Sequence, residues 1–331
     1  GTNMPWYSYC TDITTVVIGN SVTSIGSMAF NGCTGLTSIE IPASVMTICQ
    51  YAFNSCTSLK SITIPASVTS IGDFAFIYCT SLKSIEIPAS VTSIDDFAFV
   101  GCTSLASISV AEGNPTYDSR NNCNAIIMTK TKTLITGCKN TVIPDGVTSI
   151  GVAAFAHCTS LKSITIPASV TSIGDNVFER CTSLESIVIL ASVTSIGDYV
   201  FEGCTSLESI VIPASVTSIG VAAFADCTSL DSITIPASVT SIGVAAFAET
   251  SLESITIPAS VTSIDSCAFY YCSRLESVEI PASVTYIGGA AFAACTSLSS
   301  VTIYAPVLSE YGWKAFENNA SGRKIYVFNK S

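Results

Sequence analysis

The sequence predicts an α/β solenoid, a right-handed coil of one short unit stacked many times, and three observations predict it. A period of about 23 residues runs through the chain. Within each period six positions alternate apolar and polar, and apolar residues then recur at fixed later slots. Finally, 48% of the 331 residues are hydrophobic and 11% are charged, enough for a continuous core but with no apolar run near the ~18 residues of a membrane-spanning helix.

The unit is plain in Leu59 to Ser81, LKSITIPASVTSIGDFAFIYCTS, and in its successor from Leu82, LKSIEIPASVTSIDDFAFVGCTS. Units begin at Ile13, Leu36, Leu59, Leu82, Leu105, Cys138, Leu161, Leu184, Leu207, Leu230, Leu252, Leu275 and Leu298, and a last strand, Lys324-Ile325-Tyr326-Val327, closes the array. Such a leucine-rich repeat cannot bury both of its apolar faces alone, whereas stacked copies can.

The first part of each unit, L-x-S-I-x-I, is rich in β-branched residues and reads as a short strand. The Pro that follows (Pro42, Pro65, Pro88) has no N–H for a ladder and ends it. S-V-T-S-I-G is a second extended arm, with Val and Ile inward and Gly (Gly26, Gly72, Gly174) at a tight turn. The x-x-A-F-x-x-C segment is expected to form one helical turn. The first strands are expected to pair in parallel as a concave sheet, with the helical turns on the convex side; 14 strands at about 4.8 Å spacing give a body about 65 Å long. Phe53, Phe76 and Phe99 stand in one core column, where Phe76→Ala should cost about 3–5 kcal/mol.

The expected layout is an N-terminal cap over residues 1–12, repeats over 13–104, a long repeat over 105–137, further repeats over 138–297 and a capping repeat over 298–331, all one continuous solenoid. In the long repeat, AEGNPTYDSRNNCNAIIMTKTKTLITG replaces the second arm. Asn124 to Thr129 and Thr133 to Thr136 read as a convex-side β-hairpin around Lys130-Thr131-Lys132, either an interaction feature or a plain insertion covering the core. The unit at Leu230 is one residue short, with Ala248-Glu249-Thr250 in place of the Cys. Trp313, near Phe316, and a missing Pro mark the last unit as a cap.

A formal net charge of −11 excludes the basic surface a nucleic-acid binder needs. Of the 15 cysteines, Cys10, Cys33, Cys56, Cys79, Cys102, Cys158, Cys181, Cys204, Cys227, Cys272 and Cys295 share one slot. A straight column offers each thiol at most two neighbours, short of the four converging ligands of a zinc site, so they read as buried small hydrophobes. Disulfides between neighbouring rungs are open but would strain the parallel ladder, and so is a Cys123–Cys138 bridge across the island. General-base chemistry needs a partnered histidine, and His157, in a tolerant surface slot, is a poor candidate for it. The acids run in stripes rather than across a cleft, and no glycine-rich phosphate loop follows a strand. No catalytic residue, metal or cofactor is expected. Recurrent Ser67, Thr69, Ser70 and Thr80 read as turn hydroxyls that satisfy backbone groups.

The outward strand slots would form the concave surface. One slot runs Lys60, Lys83 and Lys162, then Glu185, Glu208, Asp231, Glu253 and Glu276. Val188 and Val211 occupy a neighbouring outward slot, and Leu190 replaces a strand-ending Pro. An apolar patch flanked by acids is a candidate docking spot for a macromolecular partner, with drift among small strand-forming residues as the alternative. No aromatic occupies these slots, which tells against sugar binding on this face.

The unit CTSLKSITIPASVTSIGDFAF and the island YDSRNNCNAIIMTKTKTLITGCKNTVIP resemble the BspA-like leucine-rich repeats of bacterial surface proteins. The resemblance covers about residues 10–328. It implies an exported, surface-displayed or secreted protein that adheres to host or bacterial surface proteins, although no export leader is legible at Gly1-Thr2. The expectation is a monomeric, non-enzymatic interaction module, with a structural spacer as the alternative and a carbohydrate-binding protein or enzyme as a remote one.

Overall fold

A computed structural model describes residues 4–190, 192–304 and 310–328. The chain divides into two compact units, Gly1–Leu161 and Lys162–Ser331.

Both units are built from the same coil. In the coil from Leu59, the side chains of Leu59, Ile62, Ile64, Val68, Ile71, Ala75, Phe76 and Cys79 point inward and are buried. The chain turns after Pro65, where the Val68 N–H donates to Pro65 O at 3.0 Å. It then runs out through Ser70–Ile71 and turns back through Gly72 to Cys79.

That last segment is a run of tight turns, in place of the expected helical turn. Phe74 (φ 56°) and Tyr78 (φ 57°) are left-handed, and the same two slots are left-handed in coil after coil. The physical reason lies in the hydrogen bonds. The Ala75, Ile77 and Cys79 N–H groups bond locally, three residues back, while those of Phe74, Phe76 and Tyr78 donate to Asp96, Ala98 and Val100 of the next coil. A helix would spend all these donors internally; alternation sends half of them along the stack. The helices among the described residues are two 3-10 turns, Tyr7–Tyr9 and Arg120–Asn122, and neither lies in this slot.

Sheet continuity also sits elsewhere than expected. First strands pair in parallel only in patches: Thr15–Val17 with Ser38–Glu40, and Ser84–Ile87 with Ser107–Val110, in the first unit. In the second unit Ser163–Ile166 pairs with Ser186–Ile189, and Ser254–Thr256, Ser277–Ile280, Ser300–Ile303 and Lys324–Val327 form one sheet. The second arms are steadier. Ser24–Ile25, Thr47–Ile48, Ser70–Ile71 and Ser93–Ile94 form one parallel sheet, and six arms from Ser195–Ile196 to Glu310–Tyr311 form another. Ser hydroxyls tie the coils together on the outside: Ser67 Oγ donates to Val45 O and Ser90 Oγ to Val68 O, both at 2.6 Å.

Aromatic rings form the spine of each core. In the first unit Trp6, Phe30, Phe53, Phe76 and Phe99 stack at 5.2–5.9 Å. Trp6 caps the end, its Nε1–H donating to Ala29 O at 2.8 Å. In the second unit Phe178, Phe201, Phe224, Phe247, Phe269, Phe292 and Phe316 stack at 5.0–5.5 Å. Trp313 of the last repeat is 80% exposed.

The island hairpin is present, Ala125–Met128 antiparallel to Thr133–Gly137, with Tyr117–Asp118 as a third strand. It does not stand outside the coil. Thr133 and Leu134 pair in parallel with Ser149 and Ile150, so the hairpin fills the place of the missing second arm. Burial of Ile126, Ile127 and Leu134 explains why it stays in the sheet. Two polar residues close the irregular edge. Asn114 Nδ2 donates to Pro88 O and Val91 O, and the Tyr117 hydroxyl accepts the Ile94 N–H at 2.9 Å.

Candidate interaction site

The outward slots of the first strands place the expected residues on the surface. Glu185, Glu208, Asp231, Glu253 and Glu276 are all exposed. Glu185 lies just before the strand, between the buried Leu184 and the exposed Ser186; within Ser186–Ile189 alternation turns Ile187 in and Val188 out.

Three of the acids form one column. The Glu253 N–H donates to Asp231 O and the Glu276 N–H to Glu253 O, each at 3.2 Å. Their carboxylates therefore recur one coil apart, a spacing at which like charges repel. Glu185 is partnered by Lys162 at 3.7 Å, and Glu253 by Arg274. These pairs are exposed and contribute little stability, about 0–1 kcal/mol each. Glu208, Asp231 and Glu276 have no cationic partner among the described residues.

The apolar part of the expected patch is more divided. Val188 is 49% exposed, Leu190 60% and Val211 81%. Val188 pairs with Thr165 and Val211 with Thr234, and among the described residues no ladder joins the first strands that carry the two valines. They are exposed apolar side chains on successive coils rather than one continuous strand surface.

The cysteine column has a defined structural job. All 15 cysteines are free thiols. Cys56, Cys79, Cys102, Cys204, Cys227, Cys272 and Cys295 each donate a thiol hydrogen bond at 3.1–3.2 Å to the carbonyl of a Phe on the preceding coil. In the short coil, which has no Cys, the buried Thr250 hydroxyl donates to Phe247 O at 2.9 Å. Burial pushes the Cys102 and Cys158 thiols up to about 12, and raises those of Cys79 and Cys204 as well. Thiolate, the reactive form, is therefore suppressed at neutral pH. Cys123 and Cys138 are also buried and free, donating toward Ala125 O and Asn124 O rather than to each other. No cluster of His, Cys, Asp and Glu with metal-binding arrangement occurs among the described residues.

His157 lies beside Tyr78, their rings edge to face at 5.4 Å with Nε2 3.5 Å from the hydroxyl. The pair ties together turns that are 79 residues apart in sequence. Trp6, Asn114, Tyr117 and Gly137 carry structural roles that sequence reading did not single out. Each departs from the repeat, and that departure was the available signal.

Comparison with known proteins agrees with this geometry. The model of the BspA type leucine rich repeat region, present in six copies, matches residues 3–125, 135–247 and 217–330. Among solved structures, the chain is similar to a leucine-rich repeat protein from Bacteroides ovatus, 28% identical over 96% of this chain and 85% of that one, with a TM-score of 0.57. A leucine-rich repeat protein from Eubacterium ventriosum is 24% identical, covering 90% of this chain and 86% of that one, with a TM-score of 0.62. The pneumococcal vaccine antigen PcpA shares the fold at 21% identity, over 96% of this chain and 78% of that one, with a TM-score of 0.59. Among curated proteins none matches. No helix among the described residues is long and apolar enough to cross a membrane. The repeat unit, the Phe and Cys columns and the family match together place this chain in the BspA-type leucine-rich repeat family.

Proposed function

We propose that the chain is an adhesin-like interaction scaffold, displayed on or secreted from a bacterial cell, that presents the first-strand face of Lys162–Ser331 to a basic region of a host or bacterial surface protein. One observation carries this reading: the exposed acidic column Asp231, Glu253 and Glu276, joined coil to coil by backbone hydrogen bonds and only partly neutralised. A rigid ladder that holds like charges in register favours a partner with complementary cations. Such charges act chiefly on association rate and partner choice. Val188, Leu190 and Val211 add exposed apolar area beside Glu185 and Glu208. Membership in a repeat-scaffold family supports binding over turnover, and the resemblance to bacterial surface proteins supports export.

The test is a binding screen of the purified chain against host matrix proteins, mucins and bacterial surface proteins. Its control combines Glu185→Lys, Glu208→Lys, Asp231→Lys and Glu253→Lys. A protein ligand bound by the parent and lost by the variant, with salt-dependent association, is the expected result. Equal binding to both would move the site off this face. Binding to nothing would leave a spacer.

A further inference from the structure

The island interrupts the turn column of Gly1–Leu161 and leaves a wedge there. In the coils before it, three donors per turn reach across the stack, and the first two of each set are the ones the island affects. The Tyr51 and Phe53 N–H groups bond Asp73 O and Ala75 O at 2.9 and 2.8 Å, and those of Phe74 and Phe76 bond Asp96 O and Ala98 O at 3.2 and 2.8 Å. The same two donors on the following coil, the N–H groups of Phe97 and Phe99, have no acceptor among the described residues. Repetition would assign Ala154 O to Phe99, but that oxygen accepts the Gly137 N–H instead, at 2.8 Å. Backbone contact between the turns resumes where the Gly101 N–H reaches Ala156 O at 3.4 Å.

A second column is cut at the same place. Tyr51, Phe74 and Phe97 stack outside the core at 4.8 and 5.1 Å, nearly parallel. The slot after Phe97 holds Ala153, and among the described residues no ring covers the outer face of Phe97. That face looks into a cavity of about 240 Å³ whose walls also include Asp95, Asp96, Phe99, Thr136 and Val152. Asp95 accepts the Ser93 hydroxyl, and neither aspartate is in an ion pair among the described residues.

We propose that this wedge binds a single neutral sugar ring, a hexose or N-acetylhexosamine unit of a glycan. The apolar C–H face of such a ring packs on the open face of Phe97. Its hydroxyls donate to the carboxylates of Asp95 and Asp96, and its oxygens accept the stranded N–H groups of Phe97 and Phe99. Rival occupants leave groups unmet. A partner's Arg would stack on Phe97 and pair with the aspartates, but guanidinium has no acceptor for the two N–H groups. A partner's Phe or Trp would stack and satisfy neither donors nor carboxylates in full. Two carboxylates in the wall repel an acidic sugar. The volume lies below the ~300–1,000 Å³ of pockets for drug-sized ligands, which suits one ring. This site is separate from the acidic strand face and stands whether or not that face binds protein.

Titration calorimetry of the full chain tests it, with the methyl glycosides of glucose, galactose, mannose and N-acetylglucosamine as probes. N-acetyltryptophanamide and N-acetylargininamide serve as rivals. At least one glycoside should bind with a dissociation constant on the order of 1 mM. Phe97→Ala should weaken that binding about fivefold by removing the stacking face, and Asp96→Asn should weaken it as well. Val152→Trp, at a 53% exposed position on the cavity wall, should abolish it while leaving the melting temperature near that of the parent. This variant decides the matter if Phe97→Ala does not fold. Absence of glycoside binding, glycoside binding unaffected by Val152→Trp, or binding of an amino-acid probe alone would each overturn the proposal.

Discussion

The Phe ladder of Lys162–Ser331 runs unbroken from Phe178 to Phe316, whereas that of Gly1–Leu161 stops at Phe99. Gly137 enters beyond Phe99 and lies against Phe155, so closely that a Cβ on it would collide with the Phe155 ring. The long repeat is 33 residues where its neighbours have 23. Its extra residues pair with the following second arm, through Thr133 and Leu134, but among the described residues no ladder joins them to Ser93–Ile94. The difference teaches that one insertion interrupts both columns on its upstream side: the arm ladder ends at Ser93–Ile94 and a new one starts inside the island, and the turn column gives way beside it.

The sharpest test of that contrast compares two core rings. Phe224 stacks on both sides, at 5.2 and 5.3 Å, and Phe99 on one side only. Phe224→Ala should cost about 3–5 kcal/mol in denaturant unfolding. Phe99→Ala should cost less by about one aromatic pair, 0.5–1.5 kcal/mol. Equal costs would show that stacking adds nothing beyond burial. Next in size is Gly137→Ala, which must push the Phe155 ring or the chain aside and should cost about 1–3 kcal/mol. Gly19→Ala, with nothing within 4 Å of the added carbon, should stay within about 0.5 kcal/mol. If Gly137→Ala is equally silent, the wedge is loose rather than set by that contact.

How much of this was legible follows from what repetition does. A column such as Phe53, Phe76 and Phe99 meets the same neighbours in every coil, so its burial can be read from period alone. The same logic placed Glu185 to Glu276 outward. The turn was misread because Ala-Phe spacing suits a helix, and bulky Tyr51, Phe74 and Phe97 are poor candidates for left-handed backbone, which costs them about 1–2 kcal/mol each. Cross-coil hydrogen bonds and stacking hold them there, and no local rule contains those neighbours. The first-strand ladder was expected to be continuous because its pattern is; pairing also depends on backbone alignment, which pattern does not record. Tyr117 and Asn114 mend the edge of an insertion that occurs once, so no column announces them.

The thiols extend the comparison to pH. In the first unit Cys102 and Cys158 stay protonated up to about 12, while an unfolded thiol titrates near 8.5. Between these values the unfolded state has lost protons that the folded state keeps, so stability falls as pH rises from about 8.5 toward 12. Unfolding midpoints measured across that range should decline steadily. Without reductant, a thiol assay should count all 15 after denaturation, and in the native state chiefly the half-buried Cys49 and Cys267. Rapid native reaction of the column would mean that the coils open locally, and a low denatured count would mean that disulfides form.

The smallest expected effect lies inside the island itself. Partial burial raises the Asp118 carboxyl, but hydrogen bonds from Arg120, at 2.7 Å to Nε, and from the Thr129 hydroxyl, at 2.8 Å, outweigh it and hold the group below the usual carboxylate range. This depressed group stabilises the folded state above the ordinary carboxyl value near 3.9, and that contribution is lost as pH falls through its folded value. Asp118→Asn should therefore cost about 1 kcal/mol at pH 7 and nothing once the parent carboxyl is protonated. A cost that persists in acid would assign Asp118 a shape role rather than a charge role. No cost at pH 7 would mean that the hairpin is held by Ile126, Ile127 and Leu134 alone, as the regular coils are held by their apolar columns.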